Sequence, residues 1–224
     1  MTERKLWMVA QGTEVLSTGV KAVITAGGTS ERFGSNKLLE KLGDKTVIQT
    51  TVEKFLQHVE EIIIPASDEV KNHILECFKD SRIKFAAPGA TRQKSVFNAL
   101  KECGSCEYVL IHDGARAYIS EELILKSIRQ VKLKKAIVVG ISAVDTIKVC
   151  DMHKRIVETP KREYVYHAQT PQAFVYKEIL DAHKKLENLD FTDDASMLEH
   201  LGKDVYIVEG EVLNIKITTR KDLI

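Results

Sequence analysis

The first stretch of the chain that could carry chemistry is a glycine-containing loop after a short apolar run. The run begins at Val20 and ends at the adjacent glycines Gly27 and Gly28, and Arg32 and Lys37 follow in the same polar loop. Glycines allow backbone N–H groups to approach an anion closely, and the two cations supply a planar fork and a point charge. The pattern predicts a phosphate-binding loop, although a plain strand-to-helix turn with solvated cations also fits.

The spacing in this loop disfavours two common nucleotide motifs. A Walker A loop needs Gly-Lys-Ser/Thr, but Gly34 is followed by Ser35 and Asn36 before Lys37. A dinucleotide fingerprint needs three spaced glycines and an acid about 20 residues later, and this chain has neither feature here. Neither an ordinary ATPase nor a dehydrogenase is therefore favoured.

Composition limits the class of partner. The chain has 224 residues, 44% of them hydrophobic and 29% charged, which suits one domain with one core. A formal net charge of +1 gives no general attraction for nucleic acid, so a local cluster must bind any phosphate. We expect a small phosphorylated ligand, no nucleic-acid partner, and a single domain at 20–224.

The remaining global features predict a cytoplasmic protein. Cys103 and Cys106 form a C-x-x-C pair, but no second pair completes a zinc site, so we expect reduced thiols. The chain has no run of about 18 apolar residues for a membrane span, and residues 1–19 lack the core of a signal peptide. Residues 1–19, with the pattern of a short hairpin, are an extension of unknown role.

Apolar segments of strand type and helix type alternate along the first two thirds of the chain. After the first strand, the pattern predicts helices at Val47–His58, Lys71–Lys79, from Arg92, and at Glu121–Val131, with strands at Glu60–Pro65, Ile83–Ala87, Tyr108–Ile111 and Ala136–Ile141. This alternation predicts an α/β fold whose sheet grows by crossover units.

The pattern changes at about residue 141. Alternating residues with turn signals around Asp151 predict a projecting hairpin arm at about 141–170, which we expect to pack on a second subunit. Further elements are expected at Tyr176–Leu186, Thr192–Leu201, Val205–Val208 and Leu213–Ile217.

Other candidate ligand groups lie where elements begin or end. Arg92 and Ser95 open a helix and suit an anion or a base edge, although the segment on its own favours ordinary capping by Ser95 or Thr91. Asp113 follows a central strand, where it can hold Mg²⁺ between phosphates, pair with Arg116, or do both.

The later polar residues have ordinary explanations as well. Arg162 and Thr170 lie on or beside the arm and can contact a phosphate, but an exposed arginine is by default solvated. Lys216, expected on the same strand face as Asn214, is a further candidate phosphate ligand. Near the start of a predicted helix, either Asp193 or Thr192 fits an N-cap.

Seven segments, in order, resemble the 2-C-methyl-D-erythritol 4-phosphate cytidylyltransferase family. They are AGGTSERFGSNK, GATRQKS, HDGAR, AVDTIK, TPKR with QTPQAF, FTDDAS and NIKITTRKDL, and they extend from about Val20 to the C-terminus. The resemblance implies a Rossmann-like nucleotidyltransferase fold with a mostly parallel twisted sheet, helices on both faces and a β-arm that forms a homodimer. It also implies transfer of CMP from CTP to methylerythritol phosphate, with release of pyrophosphate, in non-mevalonate isoprenoid synthesis.

The resemblance assigns roles residue by residue. The implied catalytic residues are Arg32, Lys37, Arg162 and Lys216, with Arg162 reaching the neighbouring subunit's site. The implied nucleotide pocket comprises Ala26, Gly27, Gly28, Gly89, Arg92 and Ser95. The implied residues for the polyol phosphate are Asp113, Arg116, Thr146, Arg162, Thr170 and Lys216, and Asp113 is the implied ligand of Mg²⁺ or another divalent cation.

The chain departs from the family pattern at three positions. Asn36 and Ala117 stand where proline is usual, and Leu213 stands where an acid often precedes Asn-Ile-Lys. Glu211 is the candidate substitute for that second carboxylate. The alternatives are a ribitol 5-phosphate cytidylyltransferase and a non-catalytic nucleotide-binding protein.

Overall fold

The computed structural model describes residues 17–27, 33 and 36–223. Its strands are β1 (Val20–Thr25), β2 (Lys41–Leu42), β3 (Lys45–Thr46), β4 (Glu61–Pro65), β5 (Ile83–Ala86), β6 (Tyr108–Asp113), β7 (Ala136–Ser142), β8 (Val149–Cys150), β9 (Ile156–Glu158), β10 (Tyr166–Val175) and β11 (Tyr206–Glu209). Its helices are α1 (Val47–Leu56), α2 (Asp68–Cys77), α3 (Arg92–Glu102), α4 (Glu121–Lys134), α5 (Tyr176–Lys185) and α6 (Ala195–His200). Three 3₁₀ turns lie at Lys37–Leu39, Arg162–Tyr164 and Arg220–Asp222.

The central sheet has seven strands in the order β11-β7-β10-β6-β1-β4-β5. β10 runs antiparallel to both of its neighbours, and every other pairing in this sheet is parallel. The predicted α/β fold with a mostly parallel sheet is therefore confirmed.

Helices cover both faces of this sheet and bury a hydrophobic cluster on each. Successive residues of β1 face opposite clusters: Ile24 packs with α1, α2 and α4, whereas Val23 packs with α3, α5 and α6. A strand covered on both faces is mostly apolar, and the one charged residue of β1, Lys21, is paired through its Nζ with Glu61 and with Cys103 O. The arrangement places the loops after β1 and β6 side by side at one edge of the sheet.

The hairpin arm is present but shorter than the sequence predicts. β8 and β9 pair antiparallel around a turn at Asp151, as expected. The predicted boundary near residue 170 is wrong, because residues from Tyr166 onwards belong to β10 in the central sheet. Gln169 and Thr170, at the predicted end of the arm, are buried, whereas Tyr166, His167 and Ala168 are exposed but pair with β7.

The sequence predicts strands near both ends of the chain. The predicted strand at Leu213–Ile217 is wrong, because the segment forms no ladder; its anchor is the N–H of Ile217, which donates to Ala115 O at 2.9 Å. A hairpin is predicted within residues 1–19, and residues 1–16 of that range lie outside the described residues.

Candidate functional site

A cavity of about 300 Å³ opens at the carboxyl ends of β1 and β6. This edge is where open α/β sheets bind ligands. The lining residues are Thr25, Gly27, Lys37, Leu38, Gly89, Ala90, Thr91, Arg92, Ser95, Asp113, Gly114, Ala115 and Lys216. Seven residues that the sequence singled out therefore meet in one place: Gly27, Lys37, Gly89, Arg92, Ser95, Asp113 and Lys216.

One wall of the cavity is a tight turn against the start of α3. A Cβ at Gly89 would lie 2.5 Å from Lys94 Cβ and 2.6 Å from Ser95 N, so only glycine fits there. Ser95 Oγ accepts the N–H of Gly89 at 2.9 Å and donates to Thr91 O at 2.9 Å. Thr91 caps the helix by accepting the N–H of Lys94. The cap is thus Thr91, and Ser95 instead fixes the turn.

Among the described residues, Asp113 is the one carboxylate that lines this cavity, and three cations surround it. Its oxygens lie 2.9 Å from Lys216 Nζ, 3.5 Å from Arg92 Nε and 3.8 Å from Arg116 Nε. Burial opposes ionisation of Asp113, but Lys216, Arg92 and Arg116 outweigh it and hold the pKa of the carboxyl well below its usual range. The site therefore carries excess positive charge around a fixed anion.

Thr170 and His112 fix the backbone of Asp113 through hydrogen bonds on the side away from the cavity. Thr170 Oγ1 accepts the N–H of Asp113 at 3.1 Å, and it lies 3.0 Å from His112 Nδ1. His112 Nε2 lies 3.3 Å from Arg116 O, which can only accept, so Nε2 carries the proton and Thr170 donates to Nδ1. Burial lowers the pKa of His112 to about 3, so this ring stays neutral. Thr170 itself is buried and lies outside the lining of the cavity that the described residues form.

Arg116 ties the C-terminal segment to the same carboxylate. Its Nη1 donates to Asn214 O at 2.7 Å, and Asn214 Nδ2 donates to Thr170 O at 2.8 Å. Asn214 is fully buried, whereas Lys216 is partly exposed and reaches Asp113 from the cavity side. Sequence reasoning missed Asn214 as an anchor, because in the alternating pattern of residues 213–217 nothing distinguishes it from Lys216.

Several candidates lie elsewhere. Arg32 and Gly28 lie outside the described residues. Ala26 is buried beside the cavity, where its backbone bridges to Ala66. Thr146 is exposed in the segment that leads to β8.

Arg162 belongs to a second, more open cavity. Its Nη1 donates to Val144 O at 2.7 Å. The cavity measures about 590 Å³ and is lined by Ser142, Ala143, Lys161, Arg162 and Glu163, none of which lines the first cavity. Within this one chain, the described residues thus do not bring Arg162 to Asp113.

The site could hold a magnesium ion whose coordination is completed by phosphate oxygens of a bound nucleotide. Mg²⁺ prefers one or two carboxylates together with phosphate oxygens and water, and Asp113 provides one carboxylate. Glu211 is not the second: it accepts from the N–H and Oγ of Ser120 at the start of α4, so that expectation is wrong. Across the described residues, no cluster of three or more His, Cys, Asp or Glu side chains could hold a metal ion. Asp113 is therefore the residue that would hold it.

Three cations lie around one carboxylate at the edge where an α/β sheet binds ligands, an arrangement that suits a nucleotidyltransferase. The family model described as 2-C-methyl-D-erythritol 4-phosphate cytidylyltransferase matches residues 20–224. The chain belongs to that family, as its seven segments predicted.

Curated relatives and solved structures agree. Enzymes named 2-C-methyl-D-erythritol 4-phosphate cytidylyltransferase from Clostridium tetani and Dictyoglomus thermophilum are each 40% identical; the matches cover 91% and 92% of this chain and 87% and 94% of those proteins. The crystal structure of 4-diphosphocytidyl-2C-methyl-D-erythritol synthase from Anaerococcus prevotii superposes with a TM-score of 0.82 at 33% identity, covering 92% of this chain and 95% of that one. None of the helices in the described part is long and apolar enough to cross a membrane.

Proposed function

We propose that this chain transfers the cytidylyl group of CTP to 2-C-methyl-D-erythritol 4-phosphate and releases pyrophosphate. The observation that carries the proposal is the cavity in which Arg92 and Lys216 lie beside Asp113, with Lys37 in the lining and two glycine-containing turns alongside. Both substrates and both products are multiply charged and do not cross a bilayer unaided, so we assign the reaction to the cytoplasm.

The reaction needs positioned charge more than a protein nucleophile. A phosphate oxygen of the acceptor attacks the α-phosphorus of CTP in line, and the bond from that phosphorus to the bridging oxygen of pyrophosphate breaks. Lys37 and Lys216 lie in the cavity wall, where they would neutralise the charge that develops on the phosphates. A divalent cation, when bound, would supply further neutralisation of the triphosphate, and Asp113 would hold it.

The turn at Gly89 is suited to the nucleoside. Ser95 Oγ is engaged within the turn and fixes it, so that backbone groups of the turn would face the cytosine edge. We assign Arg32 and Gly28, on the loop after β1, to the triphosphate, as the family resemblance implies.

We further propose that a second copy of the chain completes the binding site for the acceptor. The arm exposes apolar side chains at Val149, Met152, Ile156 and Val157, and exposed apolar patches of this kind favour a protein partner. Arg162 and Thr146, which lie away from Asp113 in one chain, would then reach the partner's acceptor site. Ile156→Asp should give a monomer by sedimentation analysis with low turnover; an active monomer would refute this arrangement.

Product analysis tests the acceptor. The purified chain is incubated with CTP and Mg²⁺ and either methylerythritol phosphate or ribitol 5-phosphate, and pyrophosphate release is followed with mass analysis of the product. We expect the cytidine diphosphate adduct of methylerythritol alone. An adduct of ribitol alone would reassign the acceptor, and no product from either would refute the proposed activity.

A further inference from the structure

The FTDDAS segment contains a buried carboxylate that capping does not explain. Asp193 is the residue that caps, because its Oδ1 accepts the N–H of Ser196 at 3.0 Å. Asp194 makes no capping hydrogen bond, although its side chain is only 1% exposed. Burying a carboxylate is costly unless it is paired, so the partners of Asp194 indicate its role.

Both oxygens of Asp194 are engaged. Oδ2 lies 2.7 Å from Arg92 Nη1, and Oδ1 lies 3.1 Å from His183 Nε2, which must be the donor because a carboxylate only accepts. Gln172 Oε1 accepts the backbone N–H of Asp194 at 3.1 Å. Burial opposes ionisation, but Arg92 and His183 outweigh it and keep the pKa of Asp194 below its usual range.

His183 is held on its other side by the helix that carries Arg92. Its ring stacks on Phe97 with the centroids 5.8 Å apart and the planes 10° apart. Phe97 lies on α3, whose first residue is Arg92, and His183 lies on α5. The three elements α3, α5 and α6 therefore meet at the contact between Asp194 and His183.

Arg92 is the link from this contact to the cavity. Its Nη1 faces Asp194, its Nε lies 3.5 Å from Asp113 Oδ1, and its side chain is partly exposed in the cavity lining. Two carboxylates thus attract one guanidinium, and the contact with Asp194 is the shorter.

We propose that Asp194 and His183 are positioning residues that hold Arg92 against the rear wall of the cavity, so that its open face binds the nucleoside triphosphate. Without Asp194, the guanidinium turns toward Asp113 and competes with the ligands of that carboxylate. The inference rests on the proposed function, since it assigns the nucleoside triphosphate to this cavity.

The test measures CTP affinity by calorimetry without acceptor, so that nothing turns over. Asp194→Asn keeps the shape of the side chain and removes its charge, and we expect CTP to bind about tenfold more weakly or worse. Affinity equal to that of the unaltered chain would overturn the proposal.

Two substitutions at His183 separate positioning from packing. His183→Phe keeps the stack on Phe97 but removes the donor to Asp194, whereas His183→Gln keeps a donor and removes the stack. If the role is positioning, His183→Gln binds CTP more tightly than His183→Phe, even where its thermal midpoint is lower. If CTP affinity instead follows the thermal midpoints, the residue only packs and the proposal fails.

Asp80→Asn is the matched control. Asp80 Oδ2 lies 2.7 Å from Arg82 Nη2 in an ion pair that does not line the cavity, and CTP affinity should be unchanged by its loss. Pyrophosphate release by the unaltered chain is measured first. Its absence would refute the proposed function and this inference together, whereas normal release and unchanged CTP affinity in every variant would refute this inference alone.

Discussion

Replacing Lys216 with methionine removes the cation closest to Asp113 while keeping most of the side chain's length. The Nζ–Oδ2 distance is 2.9 Å, but the lysine side chain is 42% exposed, so solvent screens the pair. Such pairs contribute about 0.2–1 kcal/mol to stability. A loss of that size lowers the thermal midpoint of a chain this long by at most about 4 °C.

The effect on turnover should be much larger. If Lys216 stabilises charge that develops on the phosphates, kcat should fall about a hundredfold or more, which corresponds to about 2.7 kcal/mol of transition-state stabilisation. The assay is pyrophosphate release at saturating CTP and acceptor, with the thermal midpoint measured on the same preparation.

Lys84→Met is the matched control for that substitution. Lys84 Nζ lies 2.6 Å from Glu61 Oε1, its side chain is 47% exposed, and Glu61 keeps a second cation, Lys21, when Lys84 is lost. The two methionine variants should therefore lose similar stability, and only Lys216→Met should lose turnover. Turnover of Lys216→Met within about threefold of the unaltered chain would refute the assignment of transition-state charge to this residue.

Three further predictions concern the same cavity. Lys37→Ala should leave the thermal midpoint nearly unchanged and lower kcat about a hundredfold, and near-normal kcat would remove Lys37 from the mechanism. Gly89→Ala should lower the free energy of unfolding in urea by about 1–3 kcal/mol, because the new Cβ would overlap Lys94 and the N-terminal turn of α3. An unchanged urea midpoint would show that the turn can shift to accept a Cβ and would contradict the requirement for glycine. Asp113→Asn should cost about 3–5 kcal/mol at pH 7, because Lys216 and Arg116 lose their carboxylate and Arg92 loses one of its two. The native pKa of Asp113 is depressed, so this difference should be fully present above the unfolded pKa of about 4 and shrink progressively as the pH falls toward the native pKa; a difference as large at pH 2 as at pH 7 would contradict the charge explanation.

Local sequence was sufficient to predict the strands and helices whose ends line the first cavity. The buried run of β1, the turn at Gly89 and the acid at the end of β6 follow from hydrophobic periodicity and the positions of glycine, which depend on neighbours in sequence. The same reasoning placed Asp113 and the start of α3 at one edge, because parallel strands end together.

The predicted arm extends to about residue 170 because apolar and polar residues alternate along this stretch with turn signals near Asp151, a pattern that suits a hairpin. Tertiary partners instead place residues from Tyr166 onwards in the central sheet. Gln172 is satisfied by Asp193 and by the N–H of Asp194, and Pro171 lies in the irregular stretch of the pairing with β7, between Ala168 and Gln172. No local pattern reveals such partners.

The C-terminal segment and the Asp194 contact were missed for a related reason. Alternation from Leu213 indicated a strand, but Asn214 and Ile217, three residues apart, are the buried positions. Arg92 and Asp194 are 102 residues apart in sequence, and their contact depends on how α3 packs near α6. Sequence identifies the residue types here, whereas only the packing shows which of them touch.

The most direct test of the account is a crystal structure of the chain with CTP and Mg²⁺ in the absence of acceptor. The account predicts the base against the turn at Gly89 and Ser95, the triphosphate between the loop after Gly27 and Lys216, and the metal ion on Asp113. A nucleotide seated elsewhere, or a triphosphate that leaves Asp113 and Lys216 in contact only with each other, would contradict it.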